Sequence, residues 1–315
     1  MSGLTMTPAK VKHVRVALNG VLLLDKPVGL SSNDALIQAK RLLNAKKAGH
    51  TGTLDPFATG LLPLCFGEAT KFSHDLLDAD KTYETVVHLG ITTETGDTEG
   101  AHVSVHEVTA TRDQIEAVLG QFRGAIQQTP PMYSALKRDG KPLYEYARAG
   151  ITLEREARAV TIHELTLLGY ETPFVRLRVS CSKGTYIRVL GEDIGKALGC
   201  GAHLNALRRT QVGNLRLVDA TELESIRQST AEQRLALLQP VDALLSDFAA
   251  IQLSDTLAER FLHGQRISLA KEGFPEVFAL GRKRVYRQSD QQFLGSALLQ
   301  EFQVLAPERL VSATS

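Results

Sequence analysis

Two short stretches restrict the fold of this chain more than its length does. Residues 82–90 (TYETVVHLG) and 174–180 (FVRLRVS) alternate polar with apolar side chains. That is the pattern of a half-buried β-strand, whose successive side chains point to opposite faces of a sheet. In the second stretch Arg176 and Arg178 lie opposite Val175, Leu177 and Val179, which leaves one face polar or wet. Further strands are predicted at 21–25, near 61–66 and near 157–168. A helix is predicted over 33–44, capped by Ser32 or Asn33, with Leu36, Ala39, Leu42 and Leu43 on one face. Others fall near 68–77, 111–122, 143–149 and 254–263. TETGDTEG (93–100) reads as a turn leading to another strand, and Gly184 in SKGTYIRVLGEDIGKALG (182–199) allows a sharp turn into an amphipathic helix. Helices mixed with antiparallel-looking strands, without βα alternation, predict an α+β fold: a mixed, mainly antiparallel sheet with flanking helices. The texture changes after Pro240, where VDALLSDFAAIQLSDTL marks a boundary before a smaller module with several short strands, 249–315.

At 315 residues and 43% hydrophobic, the chain has enough apolar side chains for a sizeable core. Its apolar runs VLLL (21–24) and LLPLCF (61–66) fall far short of the ~18–20 residues that span a bilayer, so a soluble protein is expected. The first 19 residues carry Lys10, Lys12 and Arg15, no acid, and no continuous apolar stretch of a secretory signal; they read as a loose basic arm. Cys65, Cys181 and Cys200 are far apart and form no C-x-x-C pair, which fits a reducing cytoplasm and signals neither a disulfide framework nor a zinc module. The net charge of +1 hides a segregated pattern. Residues 26–50 hold five Lys/Arg against one acid, 176–216 hold eight against two, and 75–120 hold ten acids against two bases. A locally basic face on a neutral protein suits a polyanion, although solvated helix faces collect charges too.

The stretch QQTPPMYSALKRDGKPLYEYARAG (127–150) interrupts the regular pattern with three prolines, three tyrosines and four Lys/Arg. It combines cationic with aromatic contacts, as single-stranded RNA requires; a long ordered loop is the simpler alternative. GHTGTLDPFATG (49–60) sets one acid, Asp55, between a glycine-rich approach and a proline that keeps it out of helical angles. It has the glycines of a phosphate-binding loop without the lysine, and no G-x-G-x-x-G opens a helix, so nucleotide-cofactor chemistry is disfavoured. His50, His74, His88, Cys65 and Cys181 show no metal-ligand spacing. What remains is a carboxylate in a glycine-rich loop, basic segments and tyrosines. On its own the loop reads as a turn with an incidental acid.

Taken as blocks, these residues resemble the TruB-type tRNA pseudouridine synthases, which isomerise the T-loop uridine of transfer RNA. The resemblance runs through GVLLLDKPVGLSSNDAL (20–36), AGHTGTLDPFATGLLPLCFGEATKF (48–72), KTYETVVHLGITTETGDTEG (81–100), PPMYSALKRDGKPLYEYARAG (130–150), CSKGTYIRVLGEDIG (181–195) and GCGAHLNALRRT (199–210). Six blocks in one order are far more specific than any single motif.

The resemblance implies that residues 20–248 form a catalytic domain of the pseudouridine synthase fold, with 127–150 as an insertion closing over an RNA stem-loop. It makes Asp55 the catalytic carboxylate, acting as nucleophile or assisting departure of the base without metal or cofactor. Arg188 of the TYIR block would pair with Asp55 and hold it charged and oriented. Tyr83 of KTYE would stack on the flipped base and assist proton removal from the ring carbon. Tyr186 and Leu207 would line the uracil pocket, and His50 would stand against the refolded T-loop. Lys26 and Pro27 of LDKP would support the catalytic loop, Lys26 as a phosphate or loop contact. The tail, 249–315, is similar by position, size and strand pattern to the PUA-like RNA-binding domain of bacterial members. The implied partner is tRNA through its T-arm, with no membrane and no obligatory protein partner. A non-catalytic RNA-binding or RNA-folding module, and a guide-dependent synthase acting on ribosomal RNA, remain the alternatives.

Overall fold

The computed structural model describes residues 14–312; Lys10 and Lys12 of the basic arm lie outside the described residues. In chain order the first half comprises β1 (Gly20–Lys26), α1 (Ser32–Leu42), β2 (Ala48–His50), β3 (Thr59–Phe66), α2 (Ser73–Leu77), β4 (Lys81–Leu89), β5 (Ile91–Thr93), β6 (His102–Val105), α3 (Arg112–Gly120) and β7 (Gly124–Gln128). Then come β8 (Lys137–Arg138), β9 (Lys141–Pro142), α4 (Leu143–Arg148), β10 (Arg158–Glu171), β11 (Phe174–Cys181), α5 (Ile187–Ala197), β12 (Ala202–Val212), β13 (Leu215–Arg216), β14 (Thr221–Glu222), α6 (Leu223–Gln228) and α7 (Ala231–Ala236). The last part holds β15 (Ala250–Leu253), α8 (Asp255–Leu262), β16 (Ile267–Ser268), β17 (Gly281–Arg287), β18 (Phe293–Gln300) and β19 (Val304–Leu310).

The main sheet runs β14-β1-β3-β12-β4-β11-β10-β7, with β2 on β3 and β13 on β12. Its pairs are antiparallel apart from β1/β14 and β3/β12, which gives the mixed, mainly antiparallel α+β architecture the sequence implies. β4 buries every second residue from Lys81 to Leu89, and β11 does the same with Val175, Leu177 and Val179, so the two alternating stretches lie paired at the centre. β12 had no sequence signature because its alternation is broken. Register shifts at Leu204/Ala206 and Arg209/Gln211 are bulges, each of which adds a residue and re-aims the side chains that follow. The segment expected as a helix over 68–77 begins instead as a 3-10 turn at Gly67–Phe72 and becomes α2 only at Ser73. The stretch 49–60, read as a loop, begins inside the short strand β2.

A second sheet, β15-β17-β18-β19-β16, closes over its own core of Ile251, Leu253, Phe261, Val285 and Leu299. It is fastened to the first half by the buried Asp75, which accepts from both Arg282 and Arg309, and by Phe72 against Phe293, whose rings lie 5.5 Å apart. No helix among the described residues is long and apolar enough to cross a membrane.

Helix α1 is capped one residue earlier than expected. Ser31 has the extended backbone of a cap, and its hydroxyl accepts from the Asp34 amide. Ser32 is buried and turned inward, donating to the Leu54 carbonyl at 3.0 Å and accepting from the Leu54 amide at 2.7 Å. Replacing Ser32 with alanine strands both groups of Leu54 and should cost about 1–3 kcal/mol of stability, read as a fall in the denaturation midpoint.

Candidate active site

The loop between β2 and β3 is held on both sides of Asp55. Ser32 fixes Leu54 in front of it. Behind it, the Pro56 carbonyl accepts from the Gly29 amide at 2.8 Å and from the Lys26 ammonium at 3.3 Å. Lys26 is fully buried and donates also to the carbonyls of Pro27 and Leu30. Of its two roles implied above, the geometry fits the brace on the loop, because no face of the ammonium is left for a phosphate.

Between these clamps the Asp55 carboxylate meets Arg188 at 3.0 Å. Arg188 stands in the first turn of α5 and is itself buried; its guanidinium also lies 3.5 Å from Asp97 and donates to the carbonyls of Thr95 and Tyr133. Asp97 in turn accepts from the Thr95 hydroxyl and the Glu99 amide. The guanidinium is thereby fixed by four groups from three segments, and its charge is shared between two carboxylates. Burial pushes the Asp55 carboxyl above the ordinary carboxylate range; Arg188 opposes this, and the neighbouring Asp97 adds to it. Asp97 sits in the stretch read as a plain turn, and nothing in its own residue pattern marks it.

Asp55 borders a cavity of about 560 Å³, in the range of small-ligand pockets, lined also by Tyr83, Tyr186, Arg188, Leu207 and Arg209. Tyr83 comes from β4, Leu207 and Arg209 from β12, and Tyr186 from the cap position of α5. Ser134 and Ala135 of the 127–150 insertion close one side and also border a second cavity of about 440 Å³, lined by Asp55, Glu99, Tyr144 and Arg148. The insertion itself forms the β8–β9 hairpin and α4, with Lys141 over the ring of Tyr146 and Arg148 over that of Tyr144. Burial raises the hydroxyls of Tyr83 and Tyr186, opposed at Tyr83 by Arg209 and at Tyr186 by Ser134.

The structure thus gathers Asp55, Arg188, Tyr83, Tyr186 and Leu207 at one cavity. His50 does not line it. It lies on β2 opposite Leu64, its Nδ1 is buried without a partner, and burial and Arg209 lower its pKa, which keeps it neutral. Arg209, quoted in the ALRR block but given no role, is the site residue that the sequence reading passed over together with Asp97.

Superposition on a Cbf5-Nop10-Gar1 complex gives a TM-score of 0.70 at 25% identity, covering 92% of this chain and 84% of the other. An H/ACA RNP bound to a substrate RNA containing 2'-deoxyuridine gives a TM-score of 0.69 at 24% identity, with the same coverage, and speaks for the fold. The family models and the curated relatives make the chain a pseudouridine synthase. The chain belongs to the TruB family: the family's pseudouridylate synthase N-terminal domain matches residues 40–187, the tRNA pseudouridylate synthase B C-terminal domain matches 188–246, and the pseudouridine synthase II TruB C-terminal region matches 249–311. The tRNA pseudouridine synthase B of Burkholderia mallei (strain ATCC 23344) is 59% identical over 309 residues, 98% of this chain and 99% of that one. That of Ralstonia pickettii (strain 12J) is 60% identical over 311 residues, 96% and 98% of the two.

Proposed function

We propose that this isomerase acts on tRNA at the uridine of the T-loop, with Asp55 as the reacting carboxylate. The observation that carries the residue assignment is the ion pair of a partly exposed Asp55 with a buried Arg188 at the mouth of a base-sized cavity. The chemistry asks for no more than this. The N1–C1′ bond breaks, the uracil turns, C5–C1′ forms, and the C5 proton leaves while N1 gains one, so no atom or electron enters or leaves overall. Asp55 attacks or assists at the sugar or ring. Leu207 and Tyr186 give the flat base an apolar, water-poor wall, and the Tyr83 hydroxyl takes part in moving the C5 proton.

The uridine reaches this depth by leaving its stack, which costs a few kcal/mol and is offset by aromatic contact and phosphate binding. The tyrosines and Lys/Arg of the 127–150 insertion grip the stem-loop, His50 supports the refolded T-loop from outside the cavity, and the module from 249 onward contacts the acceptor-stem side. In this reading residues 20–248 carry the chemistry, and the segment before them is a basic arm. We assign the reaction to the cytoplasm, with no protein partner required.

Incubation with unmodified tRNA, followed by mapping of pseudouridine, should show a single modified position in the T-loop. A bare T-arm hairpin should be turned over by the purified protein, and binding should weaken steeply with salt. Product at another site, or a requirement for a guide RNA, would overturn the assignment.

A further inference from the structure

Two buried cations border the catalytic cavity besides Arg188. The Lys81 ammonium is committed: it donates to the carbonyls of Leu76, Leu77 and Ala79 at the end of α2. Arg209 is different. It is 1% exposed, yet no carboxylate among the described residues pairs with it. Its Nε donates to the Leu61 carbonyl at 2.8 Å, and one terminal nitrogen reaches the Gly52 carbonyl at 3.3 Å. The other terminal nitrogen lies 3.6 Å from where a Cβ on Gly52 would stand. On β12, Arg209 is the direct cross-strand partner of Tyr83, so the two side chains share a face of the sheet and line the same cavity, and the terminal nitrogen that bonds neither Leu61 nor Gly52 has no hydrogen-bond acceptor among the described residues.

A guanidinium so deeply buried without a carboxylate partner is costly. We propose that Arg209 is a positioning residue for the reaction, turning that nitrogen onto the Tyr83 hydroxyl to donate to its oxygen and so aiming its proton into the uracil cavity. This rests on the reading of Tyr83 given above. A guanidinium has hydrogens only to give, so the Tyr83 oxygen accepts from it and the phenolic hydrogen must point elsewhere, which here is the cavity. When the hydroxyl takes part in proton transfer, the same cation stabilises the charge that develops on its oxygen. Burial raises Tyr83 and Arg209 opposes that rise, which agrees in sign with this role. The backbone also shows how closely Arg209 is fitted: a Cβ on Gly60, whose φ is +100°, would come within 2.3 Å of the Arg209 carbonyl oxygen.

The test is a double-mutant cycle of Tyr83→Phe with Arg209→Lys, read as kcat on a T-arm hairpin. Tyr83→Phe should lower kcat on the order of 10²-fold, and Arg209→Lys about 10-fold, since an ammonium cannot reproduce the fork. The double variant should be no slower than Tyr83→Phe alone within about twofold, because Arg209 then has no hydroxyl to hold. Arg209→Lys should also displace the alkaline limb of the pH–rate profile, and that displacement should vanish in the Tyr83→Phe background. Full additivity would overturn the inference and leave the Tyr83 assignment standing; an unimpaired Tyr83→Phe enzyme would sink both. Should Arg209→Lys melt below the assay temperature, Tyr83→Phe alone decides. Its thermal midpoint should fall, because a buried N–H loses its acceptor, and an unchanged midpoint would overturn the contact.

Discussion

Asp55→Asn should yield a folded protein that binds tRNA within about twofold of the wild type and makes no measurable pseudouridine, a loss on the order of 10⁴-fold or more. The fold should survive because Arg188 keeps Asp97 and the carbonyls of Thr95 and Tyr133 when the Asp55 charge is removed. Stability should even gain slightly at neutral pH. A carboxyl whose folded pKa is raised favours the folded state at pH below its unfolded value near 3.8, and loses that contribution as pH rises through the folded pKa. At neutral pH the ionised Asp55 is therefore a burden that asparagine lifts, so the stabilities of the two proteins should converge at acid pH and separate as pH rises through the folded pKa of Asp55. The rate of the wild type should rise with pH through a value above the ordinary carboxylate range, because the proposed mechanism uses Asp55 in its ionised form. Retained turnover by Asp55→Asn would end the mechanism.

Arg188→Met should be worse for the fold and nearly as bad for the chemistry. It strands Asp97, which is buried, and Asp55, which is partly so, and leaving buried charge uncompensated costs about 3 kcal/mol or more. Turnover should fall on the order of 10³-fold, with the acid limb of whatever activity survives moved to higher pH, because the group that opposes the upward push on Asp55 is gone. Arg188→Lys should recover part of the stability and little of the rate: one ammonium cannot reach two carboxylates and two carbonyls from fixed positions. A wild-type pH profile in Arg188→Met would contradict this account.

Much of this architecture was legible because β4 and β11 each keep one face wet, so their alternation survives in the sequence. β12 was illegible for the opposite reason: its two bulges break the alternation at the residues that carry Leu207 and Arg209 to the cavity. The site divides in the same way. Asp55 drew notice as an acid between glycines and a proline, but its loop alone reads as a turn, and it was the family blocks that singled it out. Asp97 and Arg209 work through partners far away in sequence, Arg188 and Tyr83, and a residue whose meaning lies in a distant partner leaves no local trace. Ser32 shows a milder form: a serine at a helix start reads as a cap, whereas its hydroxyl is used 22 positions away on Leu54. Lys26, read as a phosphate or loop contact, is fully buried with its ammonium spent on backbone carbonyls, which no local pattern announces.

The clamps on Leu54 and Pro56 determine when the ordering of the catalytic loop takes place. With its neighbours held by Ser32, Gly29 and Lys26 before any RNA arrives, Asp55 gives up its conformational freedom during folding rather than during substrate capture. On the function proposed above, the free energy of gripping the stem-loop is then available for unstacking the uridine. On that proposal the division of labour is temporal: the protein arranges Asp55 in advance and leaves to the encounter only the rearrangement of the RNA.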